Sequence, residues 1–301
     1  MGILLVLGSN LAYSLQSVTT RTCSRRNGSG GLVYNVIIAL FAFCFSLVTG
    51  LVEGLNFNSG IWIFGILGGF LYFGGFYYAF KSFQTGPFTL IKLITSFGMM
   101  TGILYGIIVR GEKMSVLIAL GILLIFTAVF LVNSGKDDGV NKKSDSKIWL
   151  FYTILYMLCN AGIAILQLMQ QDRFYVLGEN GNKVPTCNTE FLIIAYATAC
   201  ISLLIMCFVK DAKSVGAVFK KCLPFGVAAG SFNALSNLLS LEANRHIAQT
   251  IKLPFSTGSS LAIGFIIGFL IYKERFTRKQ ILGLATGVVA IALLLIRNFL
   301  Y

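Results

Sequence analysis

The chain alternates between long apolar runs and short polar connectors. A helix that crosses a bilayer needs about 20 mostly apolar residues, and ten runs approach or exceed this length. They cover residues 2–20, 32–52, 61–82, 87–109, 114–133, 148–170, 190–209, 222–241, 248–272 and 280–298. The run at 2–20 lacks a basic segment before it, so we read it as a first transmembrane helix, not a cleaved signal peptide. The pattern predicts an all-α membrane protein with ten transmembrane helices.

One polar connector divides these ten runs into two groups of five. It covers residues 135–147 and reads GKDDGVNKKSDSK. Gly, Asp, Ser and Lys clusters between apolar segments are typical of linkers. We therefore expect one five-helix unit at 1–134 and a second at 148–301.

Short motifs recur between the two units. FGILGG at 64–69 resembles FGVAAG at 225–230, and LIKLITSFG at 90–98 resembles TIKLPFSTG at 250–258. Because five is an odd number, the second unit must enter the membrane the other way up. The sequence thus predicts two inverted five-helix repeats, an architecture common among secondary transporters.

Composition agrees with a membrane location. The chain is 56% hydrophobic and only 12% charged, with a mean hydropathy of +0.81, whereas soluble domains carry about 25% charged residues. The net charge of +13 lies in the connectors, which fits membrane topology and not a nucleic-acid-binding face. We expect membrane lipid and a small-molecule substrate as partners, no nucleic acid, and a monomer or homodimer.

The distribution of basic residues predicts an orientation. Two thirds of the 24 Lys and Arg residues fall in the connectors after odd-numbered spans, and a quarter fall on the opposite side. The richer side is normally cytoplasmic, which would place both termini outside the cell.

Signatures of enzymes and of metal sites are missing from the sequence. There is no phosphate-binding loop, no H-E-x-x-H and no G-x-S-x-G, so we expect no catalysis, no cofactor and no direct use of ATP. The seven cysteines follow no C-x-x-C pattern, and most lie in apolar runs, where they act as small hydrophobic residues. His246 is the single histidine, which disfavours a histidine-based metal site.

The ends of the fourth and ninth spans carry a resemblance to a known family. RGEKMSVLIALGILLIFTAVFLV begins at Arg110 and YKERFTRKQILGLATGVVAIALLLI begins at Tyr272. In each, a glutamate is followed nine residues later by a glycine and then by a final apolar helix. With these segments the chain resembles the drug/metabolite transporter (DMT) superfamily, specifically ten-helix transporters built from two EamA-like halves.

That resemblance implies a multi-pass transporter, which we expect in a bacterial plasma membrane. It also implies cytoplasmic termini, the reverse of the orientation that the basic residues predict. It leaves the substrate open, because the superfamily handles amino acids, sugars, nucleotide sugars, phosphorylated metabolites and drugs.

Two lysines lie inside apolar runs. Lys92 and Lys252 occupy the same place in the repeated I-K-L-x-x-S-x-G motif. Ionisable residues within a membrane are rare and usually face the protein interior, so we expect both to bind an anionic substrate. Ser96 and Ser256 follow one helical turn later on the same face, and a hydroxyl beside an ammonium group suits a carboxylate or phosphate. The resemblance adds that phosphate-handling members of the superfamily use basic residues on helices four and nine. The alternative is that both lysines extend along the helix to the headgroups.

Further polar residues interrupt the apolar spans. The candidates for substrate contacts are Asn10, Asn160, Asn237 and Tyr72, although interhelical hydrogen bonds would also explain them. We expect a central cavity lined by spans 1, 3, 4, 6, 8 and 9. No acidic residue lies in the middle of a span, which disfavours the export of lipophilic cations.

The sequence therefore predicts a secondary transporter that works by alternating access. The expected substrate is a small anionic or zwitterionic metabolite, such as an amino acid, a carboxylate or a phosphorylated compound. One alternative is a broad-specificity exporter of neutral or drug-like molecules. Another is a non-transporting membrane scaffold, which would have a packed interior without a cavity.

Overall fold

A computed structural model describes most of the chain, namely residues 1–26, 30–112, 116–133, 148–177, 183–211, 215–273, 277–279, 281–283 and 285–290. Its helices are α1 (Gly2–Arg26), α2 (Gly31–Glu53), α3 (Ile61–Thr85), α4 (Phe88–Ser96), α5 (Met100–Ile108), α6 (Val116–Asn133), α7 (Ile148–Arg173), α8 (Asn188–Asp211), α9 (Val215–Ala243), α10 (Gln249–Leu270) and α11 (Ile281–Ala290). The predicted linker at 135–147 lies outside the described residues.

The helices have the length and surface of membrane-spanning segments. Within the described chain, six of them are long and apolar enough to cross a bilayer, and α6 and α11 contain shorter apolar stretches. Large apolar side chains cover their outer faces: Ile63 is 65% exposed, Phe70 56% and Phe208 71%. Apolar surface this extensive is foreign to soluble monomers and is stable in lipid. The fold is an all-α integral membrane protein that crosses the bilayer several times.

The fourth predicted span is not a continuous helix. The sequence predicts one helix over 87–109, but α4 and α5 are separated by a 3-10 turn at Phe97–Met99. Gly98 lies in this turn and packs so closely on α7 that an added Cβ would stand 3.0 Å from the carbonyl oxygen of Met157. Glycine weakens a helix interior, and its small size permits this close contact. A 3-10 turn inside a long helix often marks a hinge.

Two predicted connectors contain regular structure. Residues 210–221 lie between two predicted spans, but α9 already begins at Val215, and Val218 packs against the core. The connector at 170–189 contains the strands β1 (Tyr175–Leu177) and β2 (Lys183–Pro185), which pair antiparallel. In the first place an apolar side chain packs on the core, and in the second the backbone pairs with a segment several residues away.

The main core lies between α2, α3, α8 and α9. Its fully buried side chains include Tyr34, Phe80, Phe191 and Tyr196. α3 packs on α8 through glycine: an added Cβ at Gly69 would stand 2.7 Å from the carbonyl oxygen of Ala195.

The packing of α9 on α2 uses glycine in the same way. An added Cβ at Gly230 would stand 2.6 Å from the carbonyl oxygen of Ile38. Such close backbone approach is the usual reason for small residues at helix interfaces in membranes.

Candidate functional site

A cavity of about 160 Å³ lies in the middle of the helix bundle. Its walls come from α1, α3, α4, α7, α9 and α10, which correspond to the six spans that the sequence predicts around a cavity. All but one of the residues singled out from the sequence line it: Asn10, Tyr72, Lys92, Asn160, Asn237, Lys252 and Ser256. The exception is Ser96, the last residue of α4, whose side chain lies outside the described part of the structure.

Lys92 reaches the cavity from α4. Its side chain is buried, at 4% exposure, and its Nζ lies 3.6 Å from the centroid of the Tyr13 ring on α1. Nζ also donates a long hydrogen bond of 3.5 Å to the carbonyl oxygen of Tyr13. The ammonium group thus rests on an aromatic face within the protein and does not extend along the outer surface towards headgroups.

Lys252 reaches the cavity from the first turn of α10 and is 5% exposed. Its Nζ donates to the carbonyl oxygen of Ser240 at 2.7 Å and to its Oγ at 2.9 Å. It donates as well to Oδ1 of Asn244. Lys252 therefore connects α10 to the end of α9.

Asn10 joins α1 to α10 beside the cavity. Its Nδ2 donates to Oγ of Ser259 at 2.7 Å and to the carbonyl oxygen of Ser256 at 3.1 Å. The hydroxyl of Ser256 donates in return to Oδ1 of Asn10 at 2.8 Å. Asn10 and Ser256 thus serve interhelical hydrogen bonding and line the cavity at the same time.

A network of amides and phenols forms another wall. The hydroxyl of Tyr72 donates to Oδ1 of Asn237 at 2.8 Å, and Nε2 of Gln167 donates to the same oxygen at 3.0 Å. Nδ2 of Asn237 donates to the hydroxyl of Tyr196 at 3.1 Å, which donates to Asn233 at 2.7 Å. This wall presents neutral polar groups whose orientation is fixed by their neighbours.

Asn160 holds the aromatic platform under Lys92. Its Nδ2 donates to the Tyr13 hydroxyl at 3.4 Å, and the hydroxyls of Tyr13 and Tyr156 are 2.6 Å apart. Asn160 and Tyr156 both belong to α7, so these bonds fix the Tyr13 ring of α1 against the opposite half of the chain.

The described lining carries positive charge only. It includes two lysines and, among the residues that the structure describes, no aspartate or glutamate. A cavity of one sign with low-dielectric walls concentrates ions of the opposite sign, so this one favours anions over cations. Across the described residues, no group of three or more His, Cys, Asp or Glu side chains is placed to hold a metal ion.

Interhelical contacts join the helices at one end of the bundle. The guanidinium of Arg21 on α1 lies 3.9 Å from the ring centroid of Tyr272 and 5.5 Å from that of Phe88. This aromatic cluster connects α1 to the end of α10 and the start of α4.

Different contacts join the helices at the other end. Asp172 at the end of α7 accepts from Nε of Arg110 and from the Tyr105 hydroxyl, both at 2.9 Å. Glu112 accepts from the backbone N–H of Gln249 at 3.0 Å, where α10 begins. Glu112 thus binds the N-terminus of α10, a favourable place for a carboxylate.

Several cavity residues were not selected from the sequence. Ser236, Ser240 and Asn244 line the cavity on the same stripe as Asn233 and Asn237. Their spacing of three or four residues places them on one helix face, and a polar stripe along an apolar helix indicates an inward face. That periodicity was available in the sequence.

Comparisons with known proteins relate part of the chain to a transporter family and the whole chain to a solved fold. Residues 1–134 match the model of the EamA-like transporter family. One solved crystal structure, described only as that of a protein, aligns with a TM-score of 0.67 at 14% sequence identity, covering 97% of this chain and 98% of its own. At that identity the likeness shows a shared fold alone. No curated protein matches the chain.

The matched segment runs from α1 to α6 and includes Asn10, Tyr13, Tyr72 and Lys92 of the cavity. Members of this family are membrane transporters and not enzymes. The N-terminal part of the chain, residues 1–134, is therefore similar to the EamA-like transporter family of the drug/metabolite transporter superfamily.

Proposed function

We propose that the protein is a secondary transporter that moves a small anionic or zwitterionic metabolite across a bacterial plasma membrane by alternating access. The substrate is an amino acid, a carboxylate or a phosphorylated compound. It binds in the central cavity, where Lys92 and Lys252 supply positive charge. Ser96, Ser256, Asn10, Asn160, Asn237 and Tyr72 supply hydrogen bonds.

One observation carries this proposal: two buried lysines line a membrane-embedded cavity whose described lining has no carboxylate. Burying a charge without a counter-charge is unfavourable, and an anionic substrate would supply the missing charge. The surrounding amides and hydroxyls suit the neutral or ammonium part of such a metabolite.

The proposed architecture is ten transmembrane helices in two inverted repeats, 1–134 and 148–301, joined by a linker at 135–147. Helix packing supports it. In this assignment α1 corresponds to α7, α2 to α8 and α3 to α9. The contact of α1 with α9 then has its counterpart in α7 with α3, and that of α2 with α9 in α8 with α3. Both of these contacts between the units therefore recur when the units are exchanged.

Alternating access is supported by the contacts at the two ends of the bundle. One end is held by aromatic and cation–π contacts of Arg21, and the other by the Arg110–Asp172 ion pair. Transport requires each set to separate in turn, while the 3-10 turn at Phe97–Met99 gives the fourth span a place to bend. The end rich in Lys and Arg is proposed to face the cytoplasm.

The alternatives account less well for the site. A non-transporting scaffold predicts a packed interior with both lysines at the headgroups, whereas both are buried beside a cavity. A broad exporter of neutral or drug-like molecules does not require two lysines in an otherwise uncharged lining.

A thermal-shift screen of the purified protein tests the proposal. Ligands that bind only the folded protein raise Tm by mass action. We expect carboxylates, amino acids or phosphorylated metabolites to raise Tm, and neutral compounds and lipophilic cations to have no effect. Stabilisation by neutral drug-like compounds or cations alone would favour the exporter alternative and contradict an anionic substrate.

A further inference from the structure

The two cavity lysines differ in how their ammonium groups are satisfied. A lysine ammonium carries three N–H donors, and inside a membrane protein each donor needs an acceptor. The acceptors of Lys92 and Lys252 can therefore be compared directly.

Lys252 uses all three donors within the protein. They go to the carbonyl oxygen and the hydroxyl of Ser240 and to Oδ1 of Asn244. Asn244 is held in turn by Gln171, which accepts from its Nδ2 at 2.7 Å, and by Gln249, which donates to its Oδ1 at 2.9 Å. Lys252 is thus part of a closed hydrogen-bond network at the junction of α9 and α10.

Lys92 has no comparable set of acceptors. Among the described residues its ammonium group makes one 3.5 Å hydrogen bond to the Tyr13 carbonyl and one contact with the Tyr13 ring. A cation–π contact contributes about 0.5–2 kcal/mol, far less than full hydration of a charge. Among the described residues, the ammonium group of Lys92 therefore has N–H donors that are available to a ligand in the cavity.

Resting on the proposed function, we infer that Lys92 is the residue that contacts the oxyanion of the substrate directly. Lys252 holds the α9–α10 junction and contributes charge from a distance. The matching ligand group is a compact oxyanion, either a carboxylate or a phosphate, which replaces the long bond to Tyr13 with short charge-assisted hydrogen bonds.

Tyr13 is the positioning residue for this contact. Its ring carries the ammonium group, and its hydroxyl is held by Tyr156 and Asn160 on α7. The oxyanion-binding group of α4 is therefore aligned by α1 and α7.

Thermal unfolding of the full chain in sodium acetate, sodium phosphate and sodium chloride at matched ionic strength tests the inference. We expect acetate or phosphate to raise Tm of the wild type above its value in chloride. Lys92→Met should lose this anion-specific shift while keeping its Tm in chloride, with affinity reduced about tenfold or more, as expected for loss of a hydrogen bond to a charged group. Lys252→Met should have a lower Tm in chloride but retain the shift.

The control for the junction is Ser240→Ala, which removes one acceptor of Lys252 and keeps the lysine. If Lys252→Met does not fold, Ser240→Ala tests the role of Lys252 in its place. A lower Tm in chloride with an unchanged anion shift supports the assignment of Lys252 to the α9–α10 junction. Loss of the anion shift in Lys252→Met or Ser240→Ala at unchanged Tm in chloride would overturn it, as would an intact shift in Lys92→Met. An absence of any shift in the wild type would instead contradict the proposed anionic substrate.

Discussion

At the scale of single residues, the proposed function rests on a lysine held by an aromatic ring. Lys92 lies over the face of Tyr13, whose negative quadrupole attracts a cation without neutralising it. A carboxylate partner would neutralise the lysine and compete with an anionic substrate. The ring instead keeps the charge in place and leaves its donors to a ligand.

The Tyr13 ring and its hydroxyl can be separated by mutation. Tyr13→Phe keeps the ring face and loses the 2.6 Å contact with the Tyr156 hydroxyl, whereas Tyr13→Leu loses both. We expect Tyr13→Phe to bind acetate or phosphate nearly as well as the wild type. Tyr13→Leu should bind these anions about 3- to 30-fold more weakly, the equivalent of a cation–π contact. Anion titrations of Tm measure this, and equal losses in the two variants would assign the effect to the hydroxyl.

Much of the candidate site is predictable from residue patterns. Lys92 and Lys252 stand out because each interrupts an apolar run in a repeated motif, and Asn233 and Asn237 mark the inward face of α9. The sequence does not predict that the two lysines have different roles, with Lys92 proposed to bind the oxyanion and Lys252 to hold the α9–α10 junction. It depends on Ser240 and Asn244 meeting Lys252 and on Tyr13 meeting Lys92, which are tertiary contacts between helices far apart in the chain.

At the scale of helices, glycine controls how closely α3 approaches α8 and how closely α9 approaches α2. Gly69 belongs to the FGILGG motif and packs on α8, while Gly230 belongs to FGVAAG and packs on α2. The repeated motif therefore produces repeated packing. In lipid, where apolar side chains gain little by leaving the solvent, such close contacts are a main source of helix association.

Substitution of Gly69 tests this packing. An added Cβ would stand 2.4 Å from Cβ of Thr198 and 2.7 Å from the carbonyl oxygen of Ala195, so α3 and α8 must separate. We expect Gly69→Ala to lower the free energy of unfolding by about 1–3 kcal/mol, as overpacking does, and to lower Tm in detergent.

Gly75→Ala on the same helix is the matched control. Its Cβ would meet Cβ of Cys159 at 3.9 Å, an ordinary van der Waals distance, so its Tm should stay close to that of the wild type. An equal fall in Tm for both variants would point to the flexibility of glycine and not to close packing.

Helix positions follow well from the apolar runs, but breaks in helices do not. The run at 87–109 has the composition of one continuous span, yet it contains the 3-10 turn at Phe97–Met99. The cause lies partly in α7, whose Met157 carbonyl approaches Gly98. The strands at Tyr175–Leu177 and Lys183–Pro185 are not predicted for a different reason. A strand of three residues is too short to show the alternating pattern of apolar and polar side chains.

At the scale of the whole molecule, the cavity lies between the two proposed units, and the contacts of helices in one unit with the other have counterparts when the units are exchanged. α1 meets α9 as α7 meets α3, and in the proposed mechanism this correspondence would allow one chain to adopt two arrangements of similar energy. Secondary transporters built from inverted repeats use this property to expose one site to either side in turn. The contacts at the two ends differ in chemistry, with Arg21 on aromatic rings at one end and Arg110 with Asp172 at the other.

Anion exchange in proteoliposomes tests the central claim most directly. The wild type and Lys92→Met are reconstituted into liposomes preloaded with the metabolite that raises Tm most, and uptake of the labelled compound is followed against protein-free liposomes. We predict uptake by exchange for the wild type and only background uptake for Lys92→Met, because the oxyanion loses its direct contact. Background uptake by folded wild-type protein, or equal uptake by Lys92→Met, would contradict the account.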